Sequence, residues 1–150
     1  MTDNLQLITY CGLYCELCTQ RGRIPQQAKA LKETMTKESY EVYGFEIPGF
    51  EAFWTFLGDL CEKANACPGC RAGGGNPYCE IRQCARGRGV EICADCADYP
   101  CERVEHFAQV YPTILVDAKR LREVGLGAWI KEQEQRAATG FCYADIRIRR

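Results

Sequence analysis

The chain has 150 residues, of which 47% are hydrophobic and 26% charged, a balance too apolar for a disordered protein and sufficient for one compact core. Its formal net charge of -1 gives no overall attraction to phosphate backbones or anionic lipid. The opening MTDNLQLITY has no basic start followed by a long apolar run, and no segment approaches about 18 uninterrupted apolar residues, which disfavours export and membrane spanning. The expectation is a single soluble, cytoplasmic domain over residues 1–150.

Residues 5–18 lead into CGLYCELC. On a helix turning about 100° per residue, Cys15 and Cys18 would lie about 40° and about −20° from Cys11, so all three thiols would share a face. Residues 26–43 are predicted as a helix, with Pro25 near its start, Ala28, Leu31, Met35 and Val42 as sparse apolar positions, and Gly44 after its end. Residues 49–63 carry Phe50, Phe53, Trp54, Leu57, Leu60 and Cys61 at three- and four-residue intervals, the pattern of a helix that buries an aromatic face. That face is the expected core.

From 64 to 101 the chain moves in short steps between cysteines, interrupted by residues 71–77, a glycine-rich stretch too flexible for regular structure. Something other than apolar packing must order it. A short helix over 80–86 would leave Cys79 just outside and Cys84 within. Pro100 suits the first turn of another helix, running to about Val110 with Val104, Phe107 and Ala108 inward. Two further helices are predicted over 112–123 and 128–138, broken at Gly125 and Gly127 and anchored by Ile114, Leu115, Leu121, Val124, Leu126, Trp129 and Ile130. The fold class is therefore mainly α: a small helical domain with an irregular, zinc-ordered cysteine-rich segment over 64–101 and at most short hairpins. IRIRR at 146–150 reads as a charged tail.

Ten of the twelve cysteines fall in close groups: Cys11, Cys15 and Cys18; Cys67 and Cys70; Cys79 and Cys84; Cys93, Cys96 and Cys101. Without an export signal such cysteines are read as metal ligands rather than a disulfide framework. Zinc takes about four tetrahedral thiolates, and a CxxC turn such as CPGC at 67–70 or CADC at 93–96 lets two thiolates converge on one ion. The ten thiols predict about two zinc ions per chain. Spacing alone does not fix the pairing; the working assignment places Cys67, Cys70, Cys93 and Cys96 on one ion and draws the second from the other six. Cys61, on the apolar face of the aromatic helix, is expected to be a core thiol, and the isolated Cys142 is not expected to be a ligand.

The segments YCGLYCELC (10–18), CPGC (67–70), CEIRQCARGRGVEICADCADYPCERV (79–104) and GLGAWIKEQEQRAATGFCYADIR (125–147) resemble the cysteine-rich bacterial and archaeal domain-of-unknown-function family 3795. The cysteines arrive with their family neighbours: Gly12-Leu13, Ile81-Arg82, Gly89-Val90 and Tyr99-Pro100. The resemblance implies zinc binding by this ligand set and a cytoplasmic setting, and it implies no particular activity.

Cys11, Cys15 and Cys18 also match the CxxxCxxC of radical enzymes that use S-adenosylmethionine, but a chain of this size with few strand-like runs cannot supply their partial barrel. An iron–sulfur cluster without that chemistry is the main alternative to zinc. His106 is the single histidine, which excludes a two-histidine catalytic zinc site. Arg82, Arg86 and Arg88, with Arg71, could form a basic face beside a nucleic-acid-reading zinc knuckle. Solvated arginines offsetting anionic thiolate centres explain them more simply. Residues 73–75 lack the lysine of a phosphate loop. No catalytic machinery is recognisable. The sequence favours a non-enzymatic, zinc-stabilised interaction or adaptor module for a protein partner, over an iron–sulfur or redox protein and over a nucleic-acid-binding zinc protein.

Overall fold

The computed structural model describes residues 3–148, so Arg149 and Arg150 of the basic tail, like the first two residues, lie outside the described residues. The protein is mainly helical, with eight α-helices and no strand among the described residues. In chain order these are α1 (Arg23–Lys37), α2 (Tyr40–Tyr43), α3 (Phe50–Leu60), α4 (Lys63–Ala66), α5 (Glu80–Arg88), α6 (Glu102–Ala108), α7 (Thr113–Val124) and α8 (Leu126–Ala138). Short 3-10 turns join several of them.

The N-terminal cysteine segment is not a helix. Gly12 adopts φ +95°, a left-handed conformation that favours glycine, and reverses the chain so that Ile8 and Tyr14 form an isolated antiparallel bridge. Only Cys15–Leu17 then forms a 3-10 turn. The helix expected over 26–43 starts three residues earlier and breaks at Ser39, whose φ of 61° ends one helix and begins the next. The later elements follow expectation closely: α5 begins just after Cys79 and contains Cys84, α6 follows Pro100, and Gly125 separates α7 from α8. Gly127 does not break the chain and lies within α8.

The main core lies elsewhere than expected. Ile8, Tyr14, Leu17, Val104, Ile114, Trp129 and Tyr143 are its most deeply buried large side chains, joining the N-terminal turn to α6, α7, α8 and the C-terminal turn. Trp129 meets Tyr14 edge-on at 6.2 Å between ring centres. The aromatic helix α3 instead packs on α1 in a small satellite cluster of Ala28, Leu57 and Cys61, flanked by Met35, Trp54 and Leu60. Phe53, named above as part of a buried face, is exposed, as is Phe56. The helical period of α3 is correct, but two short helices cannot enclose a face that wide.

Candidate functional site

The ten clustered thiols divide between two neighbourhoods. Cys84, Cys93, Cys96 and Cys101 line one small cavity, together with Arg88 and Tyr99. Cys11, Cys15, Cys18, Cys67, Cys70 and Cys79 line a larger cleft of about 1250 Å³. Electrostatic coupling follows the same division except at Cys79: Cys93 feels Cys101, Cys84 and Cys96 most and Cys79 least, whereas Cys15 feels Cys18 and Cys70, and Cys18 feels Cys67. The two CxxC turns at 67–70 and 93–96, expected to share one ion, therefore stand in different neighbourhoods. The CPGC turn lies beside the turn at Cys15–Cys18.

Local structure accounts for this arrangement. Cys15–Leu17 and Cys93–Asp95 are each one 3-10 turn entered from extended backbone, and the closing residues Cys18 and Cys96 have the same φ of −72° and ψ of 139°. The N–H of Cys18 donates to the carbonyl of Cys15 at 3.1 Å, and that of Cys96 to Cys93 at 2.9 Å. The sequence thus forms one thiol-presenting turn twice. Helix α5 links the two groups: Cys79 sits at its N-cap, where the sulfur accepts from the N–H of Arg82 at 3.5 Å, and Cys84 lies one turn on. Cys79 couples to Cys11 on one side and to Cys93 on the other.

The glycine-rich stretch at 71–77, expected to be a flexible connector, is held by a buried cation. Arg82 is 7% exposed and donates from Nη1 to the carbonyls of Cys70 at 3.2 Å and Gly74 at 2.7 Å, and from Nη2 to that of Asn76 at 2.8 Å. The N–H of Gly74 also donates to the carbonyl of Gly69 at 2.8 Å. A Cβ on Gly74 would stand 2.7 Å from the Cys67 sulfur, so the approach needs glycine.

Other arginines act in the same way. Arg21 donates to the Cys67 carbonyl at 2.6 Å, Arg122 to that of Ala94 at 2.8 Å, Arg86 to that of Arg71 at 3.0 Å, and Arg71 to those of Leu5 and Ile8 at 2.7 and 2.9 Å. Five planar guanidinium groups thus tie down cysteine-bearing loops through backbone oxygens. This corrects the reading of Arg71 and Arg82 as part of a solvated face. Arg86 and Arg88 fit that reading: both are exposed, and Arg88 reaches the Cys96 sulfur at 3.5 Å and the carboxylate of Asp98 at 2.5 Å.

Burial pushes several of these thiols upward, Cys11 and Cys93 to about 12 and Cys15 to about 11. Neighbouring thiols add to the rise at Cys93. Against it, Cys15 accepts a hydrogen bond from the backbone of Cys70, and Cys11 from Thr9 and Leu13. Among the described residues no group of three or more Cys, His, Asp or Glu side chains is drawn together as a formed metal-binding set. His106 is exposed and lies on the wall of the larger cleft. Cys61 is buried in the satellite cluster, its thiol donating to the Leu57 carbonyl at 3.2 Å. Cys142 is buried beside Cys18, 3.4 Å from the Thr19 hydroxyl. Nothing near Cys142 in the sequence signals that neighbour, which lies more than a hundred residues away.

A family model described as a protein of unknown function (DUF3795) matches residues 7–106, two thirds of the chain and all ten clustered cysteines. The chain belongs to the DUF3795 family. No curated protein and no solved structure matches it. The DUF3795 match ends within α6, so α7, α8 and the C-terminal turn that complete the core fall beyond it. No helix among the described residues is long and apolar enough to cross a membrane.

Proposed function

We propose that this DUF3795 protein is a non-enzymatic interaction module of the cytoplasm whose ten clustered thiols hold about two zinc ions. The observation that carries this reading is the gathering of all ten into two neighbourhoods, each built around the same 3-10 turn. One ion falls to Cys84, Cys93, Cys96 and Cys101. The other falls to Cys15, Cys18, Cys67 and Cys70, with Cys11 and Cys79 beside them. Thiol sulfur is the donor that zinc prefers in structural sites, and four thiolates leave no position open for a reacting water. Coordination would draw each group closer than the structure holds it. The arginine clamps fix the backbone from which the thiols project, so side-chain rotation is the main adjustment required.

Elemental analysis of protein purified in air and under anaerobic conditions tests this. About two zinc ions per chain are expected in both. Iron with acid-labile sulfide would replace zinc by an iron–sulfur protein, and protein free of metal would overturn the reading.

A further inference from the structure

The arm formed by α1 to α3 is inserted between Cys18 and Cys67 and takes no part in the thiol groups. Its inner face packs the satellite cluster; its outer face is unusual. Of the eleven exposed large apolar side chains among the described residues, six fall within residues 42–56: Val42, Tyr43, Phe45, Ile47, Phe53 and Phe56. Over residues 38–62 there are six carboxylates and no lysine, arginine or histidine. None of those carboxylates stands in an ion pair among the described residues.

Apolar and acidic groups meet in an open groove of about 640 Å³, where Phe45, Ile47 and Phe56 are joined by Glu51 and Asp59. No basic side chain lines it. Lys32 reaches over the Trp54 ring at 5.4 Å, and Trp54 is not part of the groove wall. Phe45 on the groove wall is held from behind: it meets Phe50 edge-on at 5.4 Å, Phe50 stacks on Trp54 at 5.3 Å, and Gly44 is kept free of a side chain by the Phe50 ring, 2.6 Å from where a Cβ would be.

Exposed aromatics clustered in a concave patch mark interaction surfaces. A rim of unpaired carboxylates selects for positive charge and repels anionic lipid. We propose that this groove docks a cationic, apolar segment of a protein partner, its aliphatic side chains entering between Phe45 and Phe56 and its lysines or arginines meeting Glu51 and Asp59. The assignment rests on the reading of the chain as an interaction module. It does not depend on the metal.

The test is calorimetric titration of the full chain, on a sample whose zinc content is measured, with two synthetic amphipathic helical peptides of equal length, one of leucine and lysine and one of leucine and glutamate. Only the lysine peptide should bind, more weakly as salt rises. Glu51→Lys combined with Asp59→Lys should weaken it by at least about tenfold, and Phe56→Ser by a similar factor, with circular dichroism unchanged because all three side chains are exposed. Glu51→Gln with Asp59→Asn should give an intermediate loss. Failure of the lysine peptide to bind, or equal binding by every variant, overturns the proposal. So does a dimer on gel filtration that Phe56→Ser converts to monomer, since the occupant would then be a second copy. Zinc-replete protein that ignores the peptide removes the docking site and leaves the metal assignment; metal-free protein that binds it does the reverse.

Discussion

Arg82 and Gly74 are bound to each other through the 2.7 Å hydrogen bond from the guanidinium to the Gly74 carbonyl, and the same glycine leaves the space that the Cys67 sulfur occupies. A buried cation and an absent side chain thus hold one loop against one thiol. The loop has few apolar residues of its own, so its order depends on these polar contacts.

Replacing Arg82 by Met should destabilise the protein by roughly 2–5 kcal/mol, because the carbonyls of Cys70, Gly74 and Asn76 lose their shared donor in a buried setting. Arg82→Lys should recover only part of this, since one ammonium cannot match a planar fork that spans three oxygens. Thermal melts of the two variants give the comparison; equal stability of Arg82→Met and wild type would show that the clamp carries no weight.

Gly74→Ala should disturb one thiol group and spare the other. The new methyl would press on the Cys67 sulfur and on the Gly69 backbone, while Cys84, Cys93, Cys96 and Cys101 lie in a separate cavity. The expected result is loss of about one of the two zinc ions proposed above, read by elemental analysis. Loss of both, or of neither, would show that the two groups are wrongly divided.

Cys96→Ser and Cys61→Ser make the same chemical change at positions of different meaning. The first should release zinc and abolish cooperative melting, since a structural zinc contributes on the order of 10–16 kcal/mol of apparent binding free energy against a typical domain stability of about 5–15 kcal/mol. The second should keep the full metal content and cost about 1–3 kcal/mol for a hydroxyl in the satellite cluster. Zinc content measured on both variants decides it, and Cys61→Ser losing metal as readily as Cys96→Ser would end the assignment.

The C-terminal turn should report acid through one carboxylate. The Arg23 guanidinium, bonded to both oxygens of Asp145 at 2.7 and 3.0 Å, holds that carboxyl below its usual range. A carboxyl depressed on folding stabilises the protein above its unfolded value and loses that contribution as pH falls through the folded one. Asp145→Asn should therefore be less stable than wild type at neutral pH, and the two should converge in strong acid. A gap between their melting temperatures that stays constant down to low pH would contradict the pairing.

The parts of the molecule that were legible in the sequence are those set by local spacing. The period of α3, the placing of Cys79 outside α5 and Cys84 inside it, the stop at Gly125 and the burial of Cys61 all follow from contacts within a few residues. What was not legible depends on distant parts of the chain. CPGC resembles CADC as a string, yet its neighbour is the turn at Cys15–Cys18, about fifty residues upstream. Arg82 reads as an ordinary exposed cation on a short helix, because nothing near it announces three carbonyls waiting in a glycine loop. Phe53 fits a buried face by period, but the neighbours that would cover it do not exist in the fold. Periodicity identifies a face suited to burial; only the tertiary arrangement supplies the cover.

The hydroxyl of Tyr143 accepts the backbone N–H of Tyr14 at 2.9 Å inside the core, immediately before the turn that carries Cys15 and Cys18. These two residues are 129 positions apart. On a ribosome the chain emerges from its N-terminus, so the first cysteines appear long before the tyrosine that seats them. The N-terminal turn must wait for its seat until Tyr143 has been made. Truncation just before Tyr143 should consequently injure a turn more than a hundred residues upstream, and limited proteolysis of such a fragment should cut first around residues 9–18.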